Sequence, residues 1–371
     1  MDPADARPLD EPKPRPLTAV GLLARGIAAP SRDRLRSVGW TVISAAATAG
    51  VVAAILALLG ANPATAFRAL VSGALGNEFN FGQTVMITTL LALTGLAAAI
   101  PFSARLWNVG GEGQMYFGAF CAAGLGLTLP ASLPHWFFAP LVLVLSALGG
   151  AVWGLIPGAL KALINANEVI VSLMSVFAAI LLADYAITVI WPQGIAPQTQ
   201  DAPANTLLPN IWSGTLVTAG APVALFCVLV AWVIMARTRL GFEIRAVGLN
   251  PFASRLNGMR VGRIAVYAFM LGGAFAGAAG AIAVVGIYGN LPTDFSGNFG
   301  FLGIAVALLA RLSPLWILPS AFFFAILRVG SNGLQVATGL SPSVGEIIVA
   351  TFVILLLAFR VIRLRYAEAA Q

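Results

Sequence analysis

The stretch RTRLGFEIRAVGLNPFASRLNGMRVGR, residues 237–263, interrupts an otherwise apolar chain. It holds six of the 21 basic residues: Arg237, Arg239, Arg245, Arg255, Arg260 and Arg263. Apolar runs long enough to cross a bilayer lie on both sides of it, so it reads as a loop joining two membrane spans. Clustered Arg and Lys stay on the cytoplasmic side, and a loop this basic therefore orients the chain.

The composition outside the loop agrees. Of 371 residues, 59% are apolar and 9% charged, whereas soluble domains carry about 25% charged residues. The fold class is an all-α polytopic membrane protein. Apolar runs bounded by charges and turn formers predict about ten transmembrane helices, at 38–60, 81–102, 111–129, 138–160, 169–191, 219–236, 264–288, 298–310, 315–330 and 344–362. Segments 298–310 and 315–330 are short. Roughly 13 residues reach only about 20 Å, against a hydrocarbon core of about 30 Å. They form either a re-entrant hairpin or two short, protein-buried spans, and both choices preserve the parity of crossings.

With both termini inside (N-in/C-in), every basic residue except Arg68 and Arg328 falls on the cytoplasmic face, as the positive-inside rule requires. Residues 1–37, rich in Pro, Arg and Asp, read as a disordered basic cytoplasmic tail. Residues 38–365 form the transmembrane domain and 366–371 a short cytoplasmic C-terminal tail. The longest external loop, 192–219, contains Pro192, Pro197, Pro203 and Pro209, with Trp191 and Trp212 at belt positions. Ala66, Phe67, Leu70 and Val71 are spaced for a helix lying along the outer surface.

Several chemistries are missing. No Gly-x-x-x-x-Gly-Lys-[Ser/Thr] occurs, and neither lysine, Lys13 nor Lys161, follows a glycine, so no phosphate-cradling loop is predicted. No His-Glu-x-x-His or Gly-x-Ser-x-Gly motif is present, and Cys121, Cys227 and His135 stand apart. The expectation is a non-enzyme without cofactor or metal, engaged in transport or signalling and not in nucleic-acid binding. Gly150, Gly154 and Gly158, and Gly273, Gly277 and Ala281, repeat every four residues, a spacing that lets helix backbones approach closely.

The basic loop contains a helix of its own. Asn250-Pro251 is a start signal and Gly258 a stop. Phe252 and Leu256 share one face and Arg255 lies on another. A helix under two turns does not persist alone in water. Its apolar face either rests on the bundle, with the arginines at lipid headgroups, or docks on a cytoplasmic partner.

The residues RAVGLNPFASRLNGM (245–259) resemble the cytoplasmic coupling region of permease subunits of bacterial ABC importers for branched-chain amino acids, simple sugars and nucleosides. GLAAAIPFSARLWNVGGEGQ (95–114), NEVIVSLM (167–174) and GIAVALLAR (303–311) resemble the nucleoside and simple-sugar branch in order and spacing. The likeness spans about residues 38–365. It implies the ABC importer permease fold in a bacterial inner membrane, without catalysis in this chain. ATP and Mg would be bound by a separate ATPase with two nucleotide-binding halves, coupled through Asn250, Pro251, Phe252, Arg255, Leu256 and Gly258. It also implies a second homologous permease subunit, with a heterodimer favoured, and a periplasmic or lipoprotein substrate-binding protein.

Candidate pathway residues are Trp107, Asn108, Glu112, Gln114 and Tyr185. They are able to stack on or hydrogen-bond a nucleoside or sugar, and equally able to make helix–helix contacts. Glu112 either complements a helix N-terminus near the cytoplasmic end or, if the helix breaks within 107–114, lies deeper. Asp294, with Asn290 and Thr293, falls in an outer loop. The rival class is an ion-coupled secondary transporter of small polar solutes, which should show inverted repeats; none is evident.

Overall fold

The computed structural model describes residues 46–130 and 132–369. The expected N-terminal tail and the first residues of segment 38–60 lie outside them. The described chain is nearly all helix. In order it forms α1 (Ala46–Leu58), α2 (Pro63–Leu75), α3 (Glu78–Ser103), α4 (Gly111–Thr128), α5 (His135–Ile164) and α6 (Glu168–Tyr185). A short hairpin follows, β1 (Pro192–Gln193) and β2 (Ala196–Thr199). Then come α7 (Gly220–Arg237), α8 (Arg239–Leu249), α9 (Pro251–Leu256), α10 (Val261–Ile282), α11 (Phe299–Leu309), α12 (Pro314–Thr338) and α13 (Pro342–Ala369). Among the described residues, six helices are long and apolar enough to cross a membrane, or seven if the α1–α2 pair, bent by 110°, is one span.

α3 and α10 form the centre, each with 83% of its apolar window buried. α10 can be surrounded because it is built of Gly and Ala. Gly273 and Gly277 press on Gly150 of α5, Gly277 also meets Gly118 of α4, and Gly280 meets Met115. A Cβ at any of these glycines would strike the facing backbone. The two four-residue glycine ladders therefore face each other inside one chain and close its central contact.

The structure sharpens or changes three expectations. α2 turns one face onto α12. Gly73 abuts Gly333 and Leu70 abuts Gly330 of α12, so Ala66, Ala69, Leu70 and Ala74 are buried while Val71 is exposed. The segment expected at 315–330 is not short, because the helix runs through Arg328 to Thr338. A single charge does not end a helix. The basic loop holds two helices rather than one, since α8 precedes α9.

α11 is short, and its length has a cause. The segment leading into it is folded into the protein, where Phe295 and Ser296 are buried, so the helix starts part-way along the bundle. The loop 192–219 packs over the same region through Thr199 N–H to Leu291 C=O at 3.0 Å and Ala202 N–H to Gly289 C=O at 2.8 Å.

Candidate functional site

Three groups of residues stand out, beginning with the basic loop. α7 ends at Thr238, whose Oγ1 accepts the Gly241 N–H at 3.3 Å and so starts α8 at once. α8 lies tight against the end of α3, since a Cβ at Gly248 would collide with the Ser103 carbonyl. Asn250 then closes one helix and opens the next. Its N–H bonds the Ala246 carbonyl at 3.1 Å, and its Oδ1 accepts the Ala253 N–H at 3.0 Å. Pro251 occupies the first position of α9, where a missing N–H costs nothing. Gly258 (φ 78°) ends it, and Met259 N–H returns to Ser254 C=O at 3.0 Å.

Which face of α9 looks outward is now visible. Ser254 is the buried residue, at 4% exposure. Phe252 and Leu256 are 69% and 75% exposed, and Arg255 is exposed as well. Leu249 and Phe242 of α8 extend the same exposed apolar surface. The apolar face of α9 does not rest on the bundle. Fully burying each such side chain is worth about 1.5–3 kcal/mol, a gain this chain alone leaves unused.

The second group lies deep in the bundle. After α3 ends, residues 104–110 turn back along it without helical structure, and α4 starts inside the bundle. Asn108 Nδ2 donates to the Ala97 carbonyl at 3.1 Å and to Gln114 Oε1 at 3.0 Å, while Gln114 Nε2 donates to Asn108 Oδ1 at 3.3 Å. Ala97 meets Gly272, eleven residues into α10 and therefore about 16 Å from its start, half the thickness of a bilayer core. Glu112 is nearby and buried. It accepts the Gly300 N–H at 2.6 Å and the Ser296 hydroxyl. Its carboxylate thus caps the N-terminus of α11, where negative charge is stabilised. Ser172 Oγ accepts the Val109 N–H at 3.3 Å.

Of the five expected pathway residues, the structure brings together Asn108, Glu112 and Gln114, all buried and engaged with protein groups. Trp107 is half exposed and packs on Phe102 at 4.8 Å. Tyr185 lies with Phe177 and Leu181 on the exposed apolar face of α6, away from the other four.

The third group was not anticipated. A cavity of about 610 Å³ beside the start of α11 is bordered by Gln83, Tyr288, Asp294, Arg328, Asn332 and Glu346. Arg328 Nη1 pairs with Glu346 Oε1 at 3.1 Å. Asn290 and Thr293 do not reach it; they tie the loop to Asp201 (2.8 Å) and the Pro197 carbonyl (3.0 Å). The sequence signal was Arg328 itself, a charge inside an apolar helix with Asn332 one turn on. Such a residue inside a span marks a polar pathway or a partner contact. Among the described residues, no group of His, Cys, Asp and Glu has the arrangement to hold a metal.

Known proteins resemble this chain over most of its length. A glucose ABC transporter permease protein of Haloferax volcanii is 34% identical, covering 85% of each chain. A guanosine ABC transporter permease protein of Bacillus subtilis is 32% identical over 84% of this chain and 90% of its own. A nucleoside ABC transporter permease protein of Lactococcus lactis is 30% identical over 81% and 85%. No solved structure matches significantly. Residues 80–358 match the family model described as the branched-chain amino acid transport system permease component. The chain, a multi-pass protein of the plasma membrane, belongs to that family of ABC transporter permeases.

Proposed function

We propose that this chain is the membrane-spanning subunit of an ATP-driven importer of nucleosides or simple sugars. The observation that carries this reading is the docking helix α9, which turns Phe252 and Leu256 outward in a chain without a phosphate-binding loop. The partner it fits is an ATPase with two nucleotide-binding halves, which binds the ATP and Mg. Asn250, Pro251 and Gly258 shape the helix, while Phe252, Arg255 and Leu256 meet the partner. The relatives that carry glucose, guanosine and nucleoside in their names support the substrate class.

In the assembly, a second and distinct permease completes a heterodimer, and a periplasmic or lipoprotein binding protein delivers the solute. Both termini are cytoplasmic and the chain makes ten crossings, with the half-length α11 among them. Half-buried Arg328 and exposed Asn332 and Glu346 are costly against lipid. Their cavity therefore faces the solute path or the partner permease, and the Asn108–Gln114 and Glu112–Ser296 contacts hold the helices that shape it.

Deleting residues 251–258 and measuring ATPase co-purification and uptake of labelled guanosine and glucose tests the reading. The deleted chain should insert but lose both. Uptake that persists and follows an ion gradient would favour an ion-coupled secondary transporter. Failure of any ATPase to co-purify with the intact chain would overturn the proposal.

A further inference from the structure

Two helices of this bundle end in the same motif with an unusual residue. α3 closes with Leu106 N–H to Pro101 C=O at 3.1 Å, and α11 with Leu312 N–H to Ala307 C=O at 2.9 Å. Each is the six-to-one bond of a Schellman cap, which places a left-handed residue just before its donor. That residue is Arg105 (φ 57°) in one helix and Arg311 (φ 54°) in the other, where Leu312 (φ 60°) is left-handed as well. Glycine adopts this conformation freely, and a side chain with a Cβ is strained there. A cation complements a helix C-terminus from elsewhere in the last turn. The dipole alone does not call for the strained position.

Both arginines border one cavity of about 660 Å³, and Arg245 of α8 borders it from a third direction. No carboxylate lines it. Among the described residues, none of the three guanidinium groups is in an ion pair. Arg245 donates to the Met235 carbonyl. The remaining wall is largely apolar, with Phe102, Trp232 and Leu249 prominent. Arg237 adds a further cation, over the Trp232 ring at 5.9 Å.

We propose that this cavity binds a phosphate group, and that the group is the head of an anionic phospholipid. Three guanidiniums from three elements match a phosphate in charge and in hydrogen-bonding geometry. The apolar wall argues for a lipid rather than a free ion. From Trp232, α7 continues as a track of exposed Val233, Leu229 and Leu225 on which acyl chains can lie. Basic pockets between helices at the cytoplasmic edge take such headgroups. The leaflet, but not the binding, rests on the orientation proposed above.

Native mass spectrometry of the purified full-length chain with whatever subunits accompany it, offered equal phosphatidylglycerol and phosphatidylcholine, tests the assignment. The wild type should retain phosphatidylglycerol preferentially. The double variant Arg105→Gly, Arg311→Gly puts the favoured residue just before the donor of each cap, so its melting temperature should equal or exceed that of the wild type. Its phosphatidylglycerol retention should fall about tenfold or more. Arg245→Gln, on a different element, should lower retention in the same direction. Equal retention by wild type and variants overturns the proposal. So does a lowered melting temperature with lipid retention unchanged, which would make the arginines part of the helix ends alone. Displacement of phosphatidylglycerol by millimolar inorganic phosphate would assign the site to the free ion and overturn the lipid. None of these results depends on whether an ATPase co-purifies.

Discussion

The Glu112 carboxylate accepts the Gly300 N–H at 2.6 Å, so a residue in the first turn of α4 caps the first turn of α11. Two helix N-termini meet around one acid in the middle of the bundle. This explains how an eleven-residue helix begins where no water is at hand. A buried N–H needs an acceptor, and Glu112 with Ser296 supplies the polar partners.

Glu112→Ala should therefore destabilise the protein. It leaves the Gly300 N–H buried without its partner, a loss of about 1–3 kcal/mol per group. Glu112→Gln keeps an acceptor oxygen and should lose less. Thermal unfolding in detergent reads the difference, and an alanine variant that melts with the wild type would remove the capping role.

Gly277 meets two helices at the central contact, Gly150 of α5 and Gly118 of α4. Gly277→Val would drive a side chain into Gly150 and the Ser146 carbonyl. Overpacking of this kind costs about 1–3 kcal/mol or more when backbone must move. Gly111→Ala is the matched control, because a Cβ there has its nearest neighbour at 3.6 Å. The first should depress folded yield and melting temperature, and the second should not. Equal behaviour would mean that α5 and α10 are not held by backbone approach.

The glycine ladders were legible in the sequence because their four-residue spacing survives any packing arrangement. The basic loop was legible for a similar reason: Asn250, Pro251 and Gly258 act locally. What escaped depends on contacts between distant segments. Ser296 lies 184 positions from Glu112, and nothing local marks it as a partner. The packing of α2 on α12 was not legible because its buried face is mainly alanine, suited to close approach to Gly330 and Gly333. The 104–110 return, which brings Asn108 and Glu112 inside the packed bundle, depends on Asn108 reaching the Ala97 carbonyl. Tyr185 has the expected chemistry, but its side chain lies on the exposed face of α6, apart from the buried Asn108, Glu112 and Gln114.

Phe252 and Leu256 should matter for assembly and not for folding. Phe252→Ser with Leu256→Ser removes exposed apolar surface, so thermal stability should stay within about 0.5 kcal/mol of the wild type. If both side chains are buried on the ATPase, association should weaken by at least about tenfold, from about 1.5–3 kcal/mol each. Ser254→Leu should do the reverse and damage the fold, since Ser254 is buried and its Oγ donates to the Asn250 carbonyl at 2.9 Å. Binding of the purified ATPase to each variant is the measurement. Undiminished binding by the double serine variant would exclude these side chains from the interface.

Arg328 should be needed for transport and dispensable for folding. Its bridge to Glu346 is partly solvated, with side-chain exposures of 32% and 68%, and such pairs contribute at most about 1 kcal/mol. Arg328→Ala should therefore leave the melting temperature and ATPase binding nearly unchanged. It leaves Asp294 and Glu346 bordering one cavity without a cation, and a neutral solute passing there meets an altered set of donors. Uptake should fall about tenfold, equivalent to about 1.4 kcal/mol. The exchange Arg328→Glu with Glu346→Arg keeps the pair and its net charge, and should recover part of the loss. Vesicle uptake of labelled guanosine and glucose decides the matter. Full activity in Arg328→Ala would place this cavity outside the solute path.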